Sequence, residues 1–222
     1  MVVMAKAKVT AGARTDKTTG ELAYARAVEL MFERGYHGTS VRDVARAVGV
    51  QMSTIYHYYP SKQDLLMAIM TTAMREMTER VAEAIPDLPS AREQMEAAVH
   101  AHIMFHADRL KEAVVADTEL RSLEGGDLQL ILEMRDNYEE MFRAIIIKGQ
   151  NTGELRATDA RLTTRAILGA ITDVANWYRP QGSLTLNAIS AEYVGVFLDG
   201  IAEAPERVAD EKGSRVKQAS TF

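Results

Sequence analysis

The 222-residue chain has no cysteine, only five prolines and one tryptophan, and 6% aromatic residues. Without cysteine there are no disulfides and no thiolate metal sites. No apolar run approaches the roughly 18 residues that a membrane-spanning helix needs. The N-terminal segment MVVMAKAKVTAGARTDKTTG is basic and rich in small residues, but it lacks the continuous apolar stretch of a secretory leader. No segment reads as a strand. These absences point to a cytoplasmic, all-α protein with no membrane partner.

The formal charge of −5 is unevenly spread. Residues 1–64 hold nine Lys/Arg against six Asp/Glu, a balance of +3, and the remaining 158 residues carry −8. A small basic front joined to a larger acidic body suggests an anionic partner for the front alone.

Helix signals divide the chain into about nine helices. A Thr18/Glu21 capping-box spacing predicts a first helix to Arg34, with Leu22, Ala25, Val28, Met31 and Phe32 as its apolar stripe. Further starts are read at Thr39/Ser40, Ser61 with Asp64, Ser90 with Glu93, and Thr185. The expected organisation is a flexible basic arm (1–17), a domain of three small helices (18–60), a larger bundle of long helices (61–203) and a disordered tail (204–222).

The segment VRDVARAVGVQMSTIYHYYP, residues 41–60, carries the function. Val44, Val48, Val50 and Ile55 are spaced for two short helices crossing around a tight turn. Ala45 is small where the second helix crosses, and Gly49 permits the reversal. In such a helix-turn-helix the second helix enters the major groove of duplex DNA, its N-terminal side chains against base edges. Gln51, Met52 and Ser53 are the base-reading candidates; Gln pairs with adenine and Met52 can meet a thymine methyl. Thr39, Ser40, Arg42, Thr54, Tyr56, His57, Tyr58 and Lys62 are candidates for phosphates or flanking bases, with Lys6, Lys8 and Arg14 of the arm adding nonspecific affinity. Lys62 opposes the dipole of its own helix, which a nearby phosphate would explain. Tyr59 is assigned to the core.

ELMFERGYHGTSVRDVARAVGVQMSTIYHYYPSKQDLL resembles the DNA-binding domain of the TetR family of transcriptional regulators, through Gly35, Thr39/Ser40, Val44-Ala45, Gly49, STIYHYY and SKQDLL. The resemblance covers about residues 20–68, with Tyr59 where Phe is usual. It implies a ligand-responsive regulator, most simply a repressor released from a palindromic operator by a small-molecule effector. It also implies that residues 18–60 are the DNA-binding domain and 61–203 the ligand-binding and dimerisation domain, with a homodimer joined through the last two long helices. Candidate pairing residues are Ala166, Gly169, Ala170 and Asp173 on one helix, and Tyr193, Phe197, Gly200 and Ile201 on the other. Packing within the monomer would give the same pattern.

The segment MEAAVHAHIMFHADRL places His102 and His106 on one helix face. Three readings stand: polar lining of an apolar pocket, structural histidines, or part of a metal site in an α-helical enzyme. No cofactor is expected under the first two. Met95, Phe105, Met134, Tyr138, Met141, Phe142 and Trp177 are the other candidate pocket residues. WYRP at 177–180, followed by a Gly and a Leu-Thr helix start, is similar to the regulators of sterol and fatty-acid catabolism, which sense acyl-coenzyme A thioesters. Arg143, Arg165 and Arg179 are the cations available to a coenzyme phosphate.

Overall fold

The computed structural model describes residues 12–85 and 88–201, and among these it is all-helical. Nine α-helices follow in order: α1 (Gly12–Arg34), α2 (Val41–Val48), α3 (Met52–Tyr58), α4 (Lys62–Ala84), α5 (Ala91–Asp108), α6 (Leu110–Thr118), α7 (Gly125–Thr152), α8 (Ala160–Trp177) and α9 (Leu186–Ile201). A 3-10 turn at Leu120–Ser122 separates α6 from α7. The arm residues Lys6 and Lys8 and the tail from 204 lie outside the described residues.

Most helix starts follow from side chains that satisfy the first free amides. Ser40 accepts from the amide of Asp43, whose carboxylate accepts from the Ser40 amide, closing a capping box on α2. Ser90 and Glu93 do the same for α5. Ser61 caps α4 through the Asp64 amide, and Asp159 caps α8 through the amides of Arg161 and Leu162.

The first helix departs from expectation. It begins at Gly12, so Thr18 and Glu21 are interior positions rather than a capping box. That spacing marks a start only where the chain before it is not already helical. The buried stripe is also rotated: Ala23, Ala27, Val28 and Met31 face inward, whereas Leu22 and Phe32 are 48% and 39% exposed and Ala25 is exposed. Small residues take the inner face because neighbours come close. A Cβ at Gly20 would lie 3.0 Å from the ring of Tyr58 on α3.

The turn between α2 and α3 rests on Gly49, at φ 82°. Its amide donates to Arg46 O and the Val50 amide to Ala45 O, at 3.2 and 3.0 Å. This double closure satisfies the last carbonyls of α2 and requires a left-handed residue after the helix. The chain can then place Ile55, fully buried, against Val44 and Ala45.

One continuous core runs through the molecule. Helix α5 lies at its centre, packed by α4, α6, α7, α8 and α9, with Met95, Ala98, Val99 and Ile103 wholly buried. Helix α4 contributes Leu65, Leu66, Ile69 and Met70 near its start and Met74, Met77 and Val81 further on, and it touches α1, α5, α6 and α7. The three N-terminal helices and the bundle therefore share α4 as a common wall.

Gly49→Ala is expected to lower stability by about 1–2 kcal/mol, the cost of a left-handed L-residue. Gly126→Ala, at a helical position with open space around it, is expected to hold or raise stability. Urea midpoints measured at constant denaturant slope check both signs.

Candidate functional site

The short helix α3 divides its side chains by burial. Ile55 points inward, while Gln51, Ser53, Tyr56 and His57 are exposed and Met52, Thr54 and Tyr58 are half-buried. Gln51 is the N-cap of α3 but makes no side-chain capping bond. Tyr59 donates to Gly20 O at 3.4 Å and packs on the core, as expected for the anchor of this helix.

Beside this face lies a surface groove of about 500 Å³, lined by His37, Ser40, Val41, Arg42, Met52, Tyr56 and Lys62 among others. Its walls carry Arg42 and Lys62 and no carboxylate. Val41 and Arg42, the first residues of α2, line it, and their amides have no carbonyl partner within their own helix, whereas that of Asp43 is taken by the Ser40 cap. Cationic walls, free amides and a tyrosine hydroxyl form a surface suited to phosphate. His37 was not singled out in the sequence; it sits in the turn before α2, where only the fold brings it to the groove.

Three expectations need correction. Thr39 is 2% exposed, its hydroxyl donates to Gly35 O at 3.0 Å and its amide to Tyr36 O at 3.1 Å, so it braces the entry to α2 rather than offering a free hydroxyl. Tyr58 packs edgewise on His57 and against Gly20, which turns much of its ring toward α1. Lys62 donates to Tyr36 O at 3.0 Å, with Nζ 3.9 Å from the centre of the Tyr36 ring. A carbonyl and an aromatic face therefore supply the negative potential that a phosphate was expected to provide.

The second candidate region is a cavity of about 220 Å³ inside the bundle. It is lined by Met74 and Met77 of α4, His102 and His106 of α5, Asp117, Arg135, Tyr138 and Glu139 of the α6–α7 side, and Leu168 and Thr172 of α8. His102 is 1% exposed; its Nδ1 meets the Tyr138 hydroxyl at 2.7 Å and its Nε2 the Thr172 hydroxyl at 3.1 Å. Burial, then the stacked His106 ring 4.3 Å away, pushes the His102 pKa well below its usual value. Burial pushes the Tyr138 hydroxyl well up, assisted by Asp117. His106 Nδ1 donates to His102 O at 3.0 Å and its Nε2 faces Asp117 at 3.6 Å.

Of the sequence candidates, His102, His106 and Tyr138 line this cavity. Met95 and Phe142 are wholly buried core, and Phe105 packs beneath the Arg80 guanidinium, 5.5 Å from its ring centre. Met134 and Met141 pack against the core without reaching the cavity. Trp177 is 38% exposed beside a separate depression with Tyr178, Arg179 and Leu184. The metal reading finds little support in the geometry. Both His102 nitrogens are engaged, and no three His, Asp or Glu among the described residues converge as a metal ion would require. The coenzyme-directed arginines are partnered: Arg143 with Glu140, Arg165 with Glu139, and Arg179 with the carbonyls of Asn176 and Tyr178.

On the outer side of the bundle, Ala166, Gly169 and Asp173 of α8 are exposed in a row and Ala170 is half-buried. Gly200 of α9 is exposed; Tyr193 and Phe197 are half-buried, with ring centres 5.7 Å apart, and pack partly on the core. The side chain of Ile201 lies outside the described residues. Leu162, one turn before Ala166, and Val196, one turn before Gly200, are 66% and 69% exposed, and neither was singled out in the sequence.

The family "Bacterial regulatory proteins, tetR family" matches residues 24–69, and "Tetracyclin repressor-like, C-terminal domain" matches residues 89–201. The chain belongs to the TetR family. This TetR-family chain is similar to the fatty acid metabolism regulator protein of Bacillus subtilis (strain 168), 30% identical over 177 residues, which are 79% of this chain and 91% of that protein. It is 25% identical over 187 residues to the transcriptional repressor KstR2 of Rhodococcus jostii (strain RHA1), covering 79% and 87% of the two chains. The solved structure of AibR in complex with isovaleryl coenzyme A and operator DNA matches with a TM-score of 0.75 at 25% identity, over 80% of this chain and 97% of AibR. These TetR-family relatives are transcriptional regulators. No helix among the described residues of this TetR-family chain is long and apolar enough to cross a membrane.

Because the folded-state pKa of His102 is depressed, the unfolded chain binds the extra proton first. Stability should fall as pH drops below about 6.5, by at most about 1.4 kcal/mol per pH unit from this group. Urea unfolding at pH 7, 6 and 5 checks the slope, and His102→Gln should remove most of that group's share.

Proposed function

We propose that this TetR-family chain is a dimeric repressor of a palindromic operator, released by an acyl-coenzyme A thioester or a related lipid or sterol catabolite. The observation that carries the DNA half of this reading is the groove where the starts of α2, α3 and α4 converge, with Arg42 and Lys62 in its walls and the exposed face of α3 beside it. In this reading Gln51, Met52 and Ser53 meet base edges. Ser40, Arg42, Thr54 and Tyr56 hold phosphates, with His57, the remaining edge of Tyr58 and Lys62, whose ammonium is turned onto Tyr36, alongside. Two recognition helices about 34 Å apart would occupy successive major grooves of a two-fold site.

The dimer reading is supported by the exposed rows Leu162, Ala166, Gly169, Asp173 on α8 and Val196, Gly200 on α9. Small residues let helices approach closely, and exposed Leu and Val supply apolar area to bury. The effector reading is supported by the cavity between α4, α5, α7 and α8 and by the metabolism named for the relatives. Helix α4 connects the two activities: Lys62 and Met74 are twelve residues apart, about 18 Å along one rigid helix. An effector releases the protein only if it prefers a conformation whose helix spacing no longer fits DNA.

An operator selected in vitro from random duplexes with the wild-type protein should be a palindrome protected as one site by a dimer. Tyr56→Ala should weaken that operator about tenfold or more with little change in melting temperature, because Tyr56 is exposed. Leu162→Glu combined with Val196→Glu should yield monomers that bind the operator poorly. A selected site without two-fold symmetry, or unchanged binding by Tyr56→Ala, would overturn the reading.

A further inference from the structure

The polar end of the internal cavity has a hydrogen bond left over. His102, held neutral by its burial, has one N–H and one lone pair. It sits between two hydroxyls, Tyr138 at Nδ1 and Thr172 at Nε2. If Tyr138 donates to Nδ1, Nε2–H donates to Thr172 and the Thr172 proton is unused. If the chain runs the other way, Thr172 donates to Nε2, Nδ1–H donates to Tyr138, and the Tyr138 proton is unused. Either way one hydroxyl proton remains, and both hydroxyl residues line the cavity.

Thr172 does not resolve this as its counterparts do. Thr71, Thr78 and Thr118 each turn their hydroxyl back to the carbonyl four residues earlier, at 2.6, 2.7 and 2.8 Å. Among the described residues Thr172 bonds only His102. On the rim the charges are paired, Asp117 with Arg135 at 3.3 Å and Glu139 with Arg165 at 3.5 Å, while Arg135 Nε is buried without a partner and is a second leftover donor. Met74, Met77 and Leu168 form the apolar wall. A leftover donor next to an apolar wall, with the charges already paired, suits a neutral group bearing an acceptor oxygen.

Size narrows the class. At roughly 30 Å³ per water-sized group, a volume of about 220 Å³ holds roughly seven non-hydrogen atoms, fewer than half of a sixteen-carbon tail. We infer that the cavity accepts a short effector group of roughly seven non-hydrogen atoms carrying a hydroxyl or carbonyl oxygen, and that Thr172–His102–Tyr138 reads that oxygen. This rests on the cavity being the effector site proposed above.

The test is calorimetric titration of the full-length protein with hexanoyl-, 3-hydroxyhexanoyl-, 5-hydroxyhexanoyl- and hexadecanoyl-coenzyme A, and with the three six-carbon groups as N-acetylcysteamine thioesters. At least one hydroxylated group should bind about tenfold tighter than hexanoyl, the worth of one hydrogen bond, and hexadecanoyl should bind weakest. In Thr172→Val the hydroxyl preference should shrink to near unity while hexanoyl affinity changes less than about threefold. A hydroxyl preference among the small thioesters without binding of the coenzyme A esters supports the inference and removes coenzyme A from the proposed function. Tightest binding by hexadecanoyl, no preference for any oxygenated group, or no binding by either set overturns it.

Discussion

The backbone of Tyr36 joins elements that would otherwise meet only through apolar contact. Its amide donates to Glu119, the residue that ends α6, at 3.0 Å. Its carbonyl accepts from Lys62, at the start of α4, and from the Thr39 amide just before the α2 cap. Its ring lies under the Lys62 ammonium and is 8% exposed. A charge-assisted bond at both the amide and the carbonyl of one residue is stronger than a neutral pair. The exit of α1, the entry to α2, the start of α4 and the end of α6 therefore share one half-buried polar knot, and the position of the DNA-facing helices follows from it.

The same knot sits close in sequence to the cavity. Arg135 of α7 donates to Ala116 O at 2.8 Å and to Asp117, holding the last turn of α6, while Glu119 two residues later reaches Tyr36. A cation on free C-terminal carbonyls is favourable for any helix, but here it is also a cavity wall. Arg135 Nε is buried without a partner, so this clamp is incompletely satisfied in the present conformation. A helix end held by a partly unsatisfied clamp is easier to shift than the surrounding core, because a shift can recover the missing bond.

Much of this arrangement is legible in the sequence where interactions are local. Ser40 with Asp43, Ser61 with Asp64 and Ser90 with Glu93 are caps within four residues, and Gly49 is a turn whose geometry admits few alternatives. The first-helix stripe was misread because Leu22 and Phe32 are larger than Ala23 and Ala27. The deciding factor was how closely Tyr58 approaches Gly20, which no periodicity encodes. Lys62 reads in the sequence as a cation awaiting a phosphate because its partner, Tyr36, is 26 residues away. The cavity was the least legible. Met74, Asp117, Arg135 and Thr172 come from four helices, and each looks ordinary in its own segment. His102 and His106 stood out, but what they do depends on Tyr138 and Thr172, which are 36 and 70 residues from His102.

The core decides which way a change in the cavity can travel. Helix α5 is packed on several sides and its interior residues are fully buried, so moving it would open voids at a cost of a few kcal/mol. Helix α4 lines the cavity with Met74 and Met77, side chains that repack easily. Its start, in contrast, is tied by Lys62 to Tyr36 and by Gln63 to Asp127. In the effector reading, displacement that the methionines do not absorb by repacking would tilt α4, since a helix moves as a rod. Lys62 stands at the far end of that rod and is also a wall of the groove beside α3. A tilt that lifts its ammonium from the Tyr36 ring changes the groove's charge and the seating of α2 in one movement. In that reading both changes would act on DNA contact, and neither would require the helix-turn-helix itself to deform.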